Sequence, residues 1–170
     1  MRLRRPTPED GAALHNLVER CPPLDTNSRY CNLLQVSHFR ETAIVAERNG
    51  QLTGFVSGYR IPGREDVLFV WQVGVSPEGR GQGLAPRMLF ALLERLDDVR
   101  YLETTVTPDN GASEAVFEKV ADTMGARLTR SVLFESDRHF DGAHDEEVLF
   151  RIGPFSTTSA ARPAARQAQA

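Results

Sequence analysis

An apolar strand, a glycine-rich turn and a helix follow one another without interruption between Val67 and Leu96, and the rest of the chain is organised around them. The run Val67–Val75 is rich in β-branched and aromatic residues, which is typical of a buried strand. Ser-Pro-Glu-Gly then breaks the strand, Arg80–Ala85 reads Arg-Gly-Gln-Gly-Leu-Ala, and apolar residues resume at helical spacing. The pattern predicts a buried strand that leads directly into the N-terminus of a helix.

The glycine-rich turn predicts an anion site. The first N–H groups of a helix lack partners within it, and the aligned peptide dipoles place about half a positive charge there. Gly81 and Gly83 allow positive φ and close approach of a ligand, Arg80 adds charge, and Pro86 suits a first helical turn. A pyrophosphate fits such a site, although a glycine-rich turn can also merely connect a strand and a helix.

Two common phosphate-binding motifs match this turn incompletely. A P-loop requires Gly-Lys-Ser/Thr, and the turn contains no lysine. A dinucleotide fingerprint requires a third glycine where Pro86 stands, although Glu103 lies about 20 residues on, as a ribose-binding carboxylate does. The three long strands up to Val75 also predict an antiparallel meander, whereas a dinucleotide-binding sheet opens with βαβ crossovers.

Composition restricts the class of protein. At 170 residues, with 41% hydrophobic and 25% charged residues, the chain suits one globular domain, which we expect over residues 1–155. Residues 156–170 are small and polar and are expected to be a disordered tail. The net charge of −3 provides no broad basic field for nucleic acid, and no stretch approaches the ~20 apolar residues of a membrane span. The N-terminus also lacks the apolar segment of a secretion signal. We therefore expect a cytoplasmic protein that binds neither nucleic acid nor a membrane.

Cys21 and Cys31 are the only cysteines, and they stand ten residues apart without a clustered histidine. This spacing is not that of metal ligands, so it predicts reduced structural thiols and no metal site.

The rest of the chain predicts alternating elements. Asn49-Gly50 is the turn of the clearest hairpin, and Gly125 ends a helix. Along the helix 28–38, Tyr30, Leu33, Leu34 and Ser37 are expected to share one side. The predicted elements are a short edge strand near Leu3, a helix from Thr7 to about Cys21, the helix 28–38, strands 42–48, 51–60 and 66–75, a helix 86–96, a strand 101–106, a helix 111–124, a strand 127–136, a polar connection 137–145 and a strand 146–152.

This order of elements, with Arg80-x-x-Gly83-x-Ala85 after Val73-Gly-Val75, resembles the GCN5-related N-acetyltransferase (GNAT) superfamily from about residue 3 to 153. The resemblance implies an α/β fold in which helices flank a central mixed sheet, with a splay between the fourth and fifth strands. It also implies an acyltransferase that uses acetyl-CoA as cosubstrate and forms a homodimer.

The resemblance assigns the cofactor contacts by position. Asn110, after the next strand, would bond the pantetheine arm, and its residue type equally favours a helix cap, which is compatible with that role. Phe117 departs from the family, because a tyrosine there can protonate the leaving thiolate; no tyrosine acid is therefore assigned. The remaining contacts are Val73, Gly74 and Val75 for pantetheine and Arg80, Gly81, Gln82, Gly83, Leu84 and Ala85 for pyrophosphate.

Four segments are similar to superfamily members that acetylate the small diamino acid L-2,4-diaminobutyrate at its 4-amino group, without a covalent intermediate, for ectoine biosynthesis. The segments are Cys21–Tyr30, Phe69–Val75, Thr107–Asn110 and Phe117–Lys119. Other acceptors, namely another small amine or a protein N-terminus, remain open. Phe117 also permits a non-catalytic acyl-CoA sensor.

Such a substrate has two ammonium groups, so its site needs acids and a base. Asp25 equally suits a loop cap, Trp71 equally suits core packing, and Glu103 and Glu147 equally suit solvent-facing strand positions. The candidates for substrate binding are Asp25, Tyr30, Trp71, Gln72 and Thr105, and those for the base are Glu103, His144 and Glu147. The oxyanion is expected to meet a strand N–H near Val73 or Gly74.

Overall fold

The computed structural model describes residues 1–155. The expected tail, residues 156–170, lies outside the described residues. The strands are β1 (Arg2–Arg4), β2 (Ile44–Arg48), β3 (Gln51–Ile61), β4 (Arg64–Val75), β5 (Tyr101–Val106), β6 (Leu128–Phe134) and β7 (Glu147–Ile152). The α-helices are α1 (Gly11–Glu19), α2 (Arg29–Val36), α3 (Leu84–Arg95), α4 (Gly111–Met124) and α5 (Ser136–Phe140), and 3-10 turns cover Pro8–Asp10, Arg40–Thr42 and Pro77–Gly79.

The strands form one mixed sheet in the order β1-β2-β3-β4-β5-β7-β6. β1 with β2, β2 with β3, β5 with β7 and β6 with β7 pair antiparallel, whereas β4 and β5 pair parallel. The register of β4 and β5 covers three residues of each strand, up to Phe69↔Glu103. The predicted mixed α/β fold is therefore confirmed.

The chain forms two compact units. Among the described residues, the first comprises Met1–Arg60 and Val70–Leu96, and the second comprises Ile61–Phe69 and 97–155. In the first unit, α1 and α2 contribute buried apolar side chains that cluster with those of β2 and β3. The cluster consists of Leu14, Leu17, Val18, Cys21, Val36, Val45, Leu52 and Phe55.

The hairpin of the first unit follows the prediction. Asn49 and Gly50 adopt φ of +52° and +77°, the left-handed pair that a two-residue turn between twisted strands requires. At the sheet edge, the Arg4 guanidinium donates to Asp10 Oδ2 at 2.7 Å and to Glu47 Oε2 at 2.7 Å. These ion pairs tie β1 to the first helical turn and to β2.

The position of α2 follows the prediction, and the side that carries Tyr30, Leu33, Leu34 and Ser37 is not its buried side. Ser28 caps the helix by accepting from the Cys31 N–H at 3.1 Å. Tyr30 is 70% exposed and Leu33 is also exposed, whereas the polar Asn32 and Gln35 are buried. Apolar spacing cannot identify this face, because hydrogen bonds to other parts of the unit, rather than hydrophobicity, allow it to be buried.

In the second unit, β5 and α4 have the predicted bounds, and Gly125 ends α4 with φ of +58°. The predicted polar connection 137–145 contains most of the short helix α5, and Phe140 packs edge-on against Phe134, with ring centroids 6.3 Å apart. β6 is an edge strand, and Val132, Leu133 and Phe134 on it are all exposed.

Candidate active site

The glycine-rich turn has the conformation that its sequence predicts. Gly81 and Gly83 adopt φ of +73° and +64°, and a Cβ built at either position meets no atom within 4 Å. α3 begins at Leu84, so Pro86 lies in its first turn. The backbone is open to a ligand here and faces the partial positive charge of a helix N-terminus, so the turn fits a pyrophosphate.

The side chains of the turn are hydrogen-bonded to the backbone that precedes it. Arg80 Nε donates to the Val75 carbonyl at 3.4 Å, and Gln82 Nε2 donates to the Glu78 carbonyl at 3.0 Å. Both side chains belong to exposed residues. The Arg80 guanidinium therefore lies at the end of β4.

Gly74 in β4 is required by packing. A Cβ at this position would lie 2.3 Å from Phe55 Cε1 and 3.1 Å from Leu24 Cδ1. Any side chain here would displace the Phe55 ring from the core. Sequence reasoning assigned the backbone of Gly74 to the cofactor and to the oxyanion and did not foresee this packing requirement.

Gln72, a predicted substrate contact, lies 7% exposed at the centre of a hydrogen-bonded group. Its Oε1 accepts from Asn27 Nδ2 at 3.0 Å and from Gln35 Nε2 at 3.2 Å. Its Nε2 donates to the carbonyl of Asp25 at 3.1 Å. Gln72 thus fixes the backbone of the loop that carries Asp25.

The other three predicted substrate contacts of the first unit are exposed. The Asp25 side chain makes no hydrogen bond or ion pair with another residue of the described chain, so its carboxylate is available to a ligand. Trp71 is 42% exposed and lies on the β4 face opposite Gln72, with its ring edge-on to Tyr59 at 6.5 Å. Core packing therefore does not explain Trp71.

Glu103, in the second unit, is 2% exposed, unlike the solvent-facing strand residue considered from sequence. Arg64 donates to its two oxygens at 2.9 and 3.0 Å, and Arg151 also donates to Oε1. The Arg151 guanidinium in turn lies 3.9 Å from the centroid of the Tyr101 ring. Since both carboxylate oxygens are bonded to guanidinium groups, accepting an amine proton would break an ion pair, and this geometry favours a structural role for Glu103.

His144 and Glu147 lie together in the second unit, with His144 Nε2 3.9 Å from Glu147 Oε1. His144 Nδ1 is 2.7 Å from the Asp145 carbonyl, and a carbonyl can only accept, so Nδ1 carries a proton. Nε2 is consequently the nitrogen that takes up and releases a proton. This pair has the chemistry of a general base.

The remaining predicted positions also lie in the second unit. Asn110 caps α4 by accepting from the Ser113 N–H at 3.1 Å, which leaves its amide nitrogen for a ligand. Thr105 is half-buried opposite Leu149 of β7. Phe117 is buried, and its ring has no acidic proton. In residues 1–155 no three His, Cys, Asp or Glu side chains are grouped to hold a metal ion, and no helix there is long and apolar enough to cross a membrane.

Sequence reasoning missed the polar residues that surround Gln72. Asn27, which is half-buried, and buried Gln35 donate to Gln72, and Gln35 is itself bonded to the buried residues Asn32 and Ser57. One available signal was the pair Asn32 and Gln35, because two amide side chains three residues apart share one face of a helix.

Comparisons with known proteins confirm the resemblance seen in the sequence. The profile of the acetyltransferase (GNAT) family matches residues 11–121. The chain is 52% identical over 160 residues to the L-2,4-diaminobutyric acid acetyltransferase of Methylotuvimicrobium alcaliphilum, covering 93% of each chain. It is 50% identical over 152 residues to the enzyme of the same name from Vibrio parahaemolyticus, covering 88% of this chain and 84% of that one.

Two solved structures extend the comparison. The diaminobutyrate acetyltransferase of Paenibacillus lautus, in complex with its substrate L-2,4-diaminobutyric acid and coenzyme A, aligns with a TM-score of 0.86 at 39% identity, covering 91% of this chain and 95% of that one. The ribosomal-protein-S18-alanine N-acetyltransferase of Escherichia coli aligns with a TM-score of 0.72 at 15% identity, covering 91% and 94%, which shows the fold alone. The chain therefore belongs to the GNAT acetyltransferase family and, within it, to the L-2,4-diaminobutyric acid acetyltransferases.

Proposed function

We propose that this protein transfers the acetyl group of acetyl-CoA to the 4-amino group of L-2,4-diaminobutyrate. The observation that carries the proposal is the alignment, over 91% of the chain, with a solved enzyme that holds this substrate and coenzyme A. The product, N4-acetyl-L-2,4-diaminobutyrate, would serve the biosynthesis of ectoine, a compatible solute, and thereby osmoprotection.

The acceptor is held on the first unit by Asp25. Its carboxylate is exposed and unpaired among the described residues, and its backbone is fixed by Gln72, so it can bind an ammonium group with little rearrangement. Tyr30 and Trp71 supply exposed aromatic surface, against which the substrate's aliphatic chain or an ammonium group can pack.

The attacking amine must first lose a proton, because an alkyl ammonium group is mostly protonated at neutral pH. His144 Nε2 takes this proton in our proposal, with the Asp145 carbonyl orienting the ring and the Glu147 carboxylate stabilising the imidazolium that forms. Glu103 remains bound to its two arginines throughout, and Thr105 is kept as a substrate contact.

Acetyl-CoA binds at the end of β4 and at the N-terminus of α3. The N–H groups of the turn 80–85 hold the pyrophosphate, the backbone of 73–75 pairs with pantetheine and stabilises the oxyanion, and the Asn110 amide bonds the cofactor. Because a thiolate is a good leaving group near neutral pH, buried Phe117 in place of a tyrosine acid is tolerated. The amine attacks the thioester directly, without an acyl-enzyme.

The decisive test is to incubate the protein with acetyl-CoA and L-2,4-diaminobutyrate, to follow release of the CoA thiol, and to locate the acetyl group by NMR of the product. Lysine, other diamines and a peptide N-terminus serve as alternative acceptors. We expect turnover with diaminobutyrate and acetylation at N4. Faster turnover of another acceptor would assign a different substrate, and no thiol release with any acceptor would favour an acyl-CoA sensor.

We also propose that the chain acts as a homodimer in the cytoplasm. The exposed apolar residues Val132, Leu133 and Phe134 on edge strand β6 support a self-associating surface. The free thiols of Cys21 and Cys31 are in keeping with a reducing compartment.

A further inference from the structure

We propose that Gln35, a buried residue of α2 that does not reach the solvent, positions the substrate-binding carboxylate of Asp25 and so sets the affinity for the diamino acid. Gln35 acts through Gln72, which holds the loop. This inference rests on the proposed function, because it assumes that Asp25 binds the acceptor.

The loop depends on one side chain for its hydrogen bonds. Among the described residues, the segment 25–27 makes hydrogen bonds to the rest of the chain only with Gln72, through the Asp25 carbonyl at 3.1 Å and Asn27 Nδ2 at 3.0 Å. Asp25 and its neighbour Thr26 are exposed and contribute no core packing. The position of the Asp25 backbone, from which the carboxylate projects, therefore depends on the rotamer of Gln72.

Gln35 of α2 holds the rotamer of Gln72 by a hydrogen bond. Gln35 is 1% exposed, and its Nε2 donates to Gln72 Oε1 at 3.2 Å and to Ser57 Oγ at 3.2 Å. Asn32 Nδ2 donates to Gln35 Oε1 at 2.9 Å, and Asn32 Oδ1 lies 2.8 Å from His15 Nδ1. A continuous series of hydrogen bonds thus runs from α1 through α2 to the loop.

The donor and acceptor directions along this series of hydrogen bonds follow from the Asp25 carbonyl oxygen. The Asp25 carbonyl can only accept, so Gln72 must present Nε2 to it and Oε1 to Gln35. Gln35 must then donate to Gln72 and accept from Asn32, and Asn32 Oδ1 must accept from His15 Nδ1–H. Only one orientation of each amide satisfies all its neighbours, so the network specifies a single position of the loop.

The test is Gln35→Met, which keeps the volume and removes both amide functions. We expect KM for diaminobutyrate to rise about tenfold, while KM for acetyl-CoA stays within about twofold, because the cofactor turn makes no contact with the network. Ser57→Ala is the matched control. It removes a buried partner of the same Gln35 Nε2 but leaves the bond from Gln35 to Gln72, so it should lower stability without changing either KM.

A double-mutant cycle separates positioning from a merely structural role. If Gln35 acts through the Asp25 carboxylate, the combined variant Gln35→Met with Asp25→Asn raises KM for diaminobutyrate by clearly less than the product of the single effects. Multiplicative effects would overturn the inference, as would an unchanged KM in folded Gln35→Met. If Gln35→Met does not fold, the isosteric Gln35→Glu keeps the bond from Asn32, loses the one to Gln72 and is measured in the same way.

The wild-type assay distinguishes the two proposals. Absence of diaminobutyrate turnover in the wild type would refute the proposed function. Normal wild-type turnover with an unaffected Gln35 variant would refute only the positioning role.

Discussion

Asp25 holds an exposed carboxylate on a backbone that a buried glutamine fixes, so its charge can be tested separately from its shape. Asp25→Asn should lower kcat/KM for diaminobutyrate by about 10- to 100-fold, since a charge-assisted hydrogen bond contributes roughly 1.5–3 kcal/mol. Calorimetric titration with CoA should give an unchanged affinity. Wild-type kinetics in this variant would reduce Asp25 to a loop residue without a role in binding.

The tautomer of His144 follows from its contact with the Asp145 carbonyl. His144→Gln should lower kcat by about 10²- to 10⁴-fold, the usual contribution of a general base, and should change KM for acetyl-CoA little. Glu147→Gln should give a smaller loss of kcat, because it removes only the stabilising carboxylate. Glu146→Gln, one residue away, is the matched control and should behave as the wild type; an equal loss there would point to damage to the loop.

At the scale of the element, the turn before α3 can be compared with the end of α4, because each has a glycine at positive φ with open space around it. Gly83→Ala and Gly125→Ala should each cost about 1–2 kcal/mol of folding stability, the penalty of a left-handed conformation for an L residue. Only Gly83→Ala should raise KM for acetyl-CoA. The same KM for acetyl-CoA in the two variants would contradict the assignment of the turn to pyrophosphate binding.

The elements that sequence predicts well are those specified by local chemistry. The Asn49-Gly50 turn, the strand 101–106 and the helix 111–124 lie where their residues place them, because turn geometry, strand alternation and capping are short-range effects. The buried side of α2 was not predicted, because it carries the amides Asn32 and Gln35, and the burial of Gln35 depends on Ser57 and Gln72, far along the chain.

The candidate site divides in the same way. The conformation of the turn 80–85 was predictable, since glycine spacing and a helix start are local signals. The ion pairs of Glu103 with Arg64 and Arg151 were not, because they join residues about 40 to 50 positions apart, and no periodicity of β5 indicates them. A carboxylate at a plausible position is thus insufficient to identify a base without knowledge of its partners.

At the scale of the whole molecule, the dependence of stability on pH should include Asp10. The Arg4 guanidinium, aided by the Thr7 N–H, holds the pKa of Asp10 below its usual range, against the opposing effect of burial. Because the pKa of Asp10 is lower in the folded state, ionised Asp10 contributes to folding stability above its unfolded pKa of about 3.9. This contribution is lost as the pH falls through the folded pKa.

Asp10→Asn should therefore lower the free energy of unfolding at pH 7 by about 1–3 kcal/mol and flatten its decline below about pH 4, as measured by urea denaturation from pH 7 to pH 3. Glu41→Gln, which removes an exposed partner of Arg5, is the control and should change stability by less than about 1 kcal/mol. If stability declined below about pH 4 as steeply in the Asp10 variant as in the wild type, other carboxylates would determine the decline.

Self-association should depend on β6. Val132→Glu places a charge on an exposed apolar position of the edge strand and should shift the protein from dimer to monomer in sedimentation experiments. Ser131→Glu adds the same charge at the exposed neighbouring position and is the matched control. A dimer that survives Val132→Glu, or a monomeric wild type, would place the association elsewhere or exclude it.

The hydrogen bonds that connect Gln35 and Gln72 to the Asp25 loop have a consequence for salt tolerance. Salt shortens the Debye length from about 8 Å at 0.15 M to about 3 Å at 1 M, which weakens attraction between exposed charges but leaves bonds between buried neutral groups intact. The geometry of the loop depends on uncharged Gln35 and Gln72, whereas the proposed contact of Asp25 with an ammonium group is ionic. In a concentrated electrolyte we expect such a protein to lose affinity at the proposed contact and to keep the geometry of the loop.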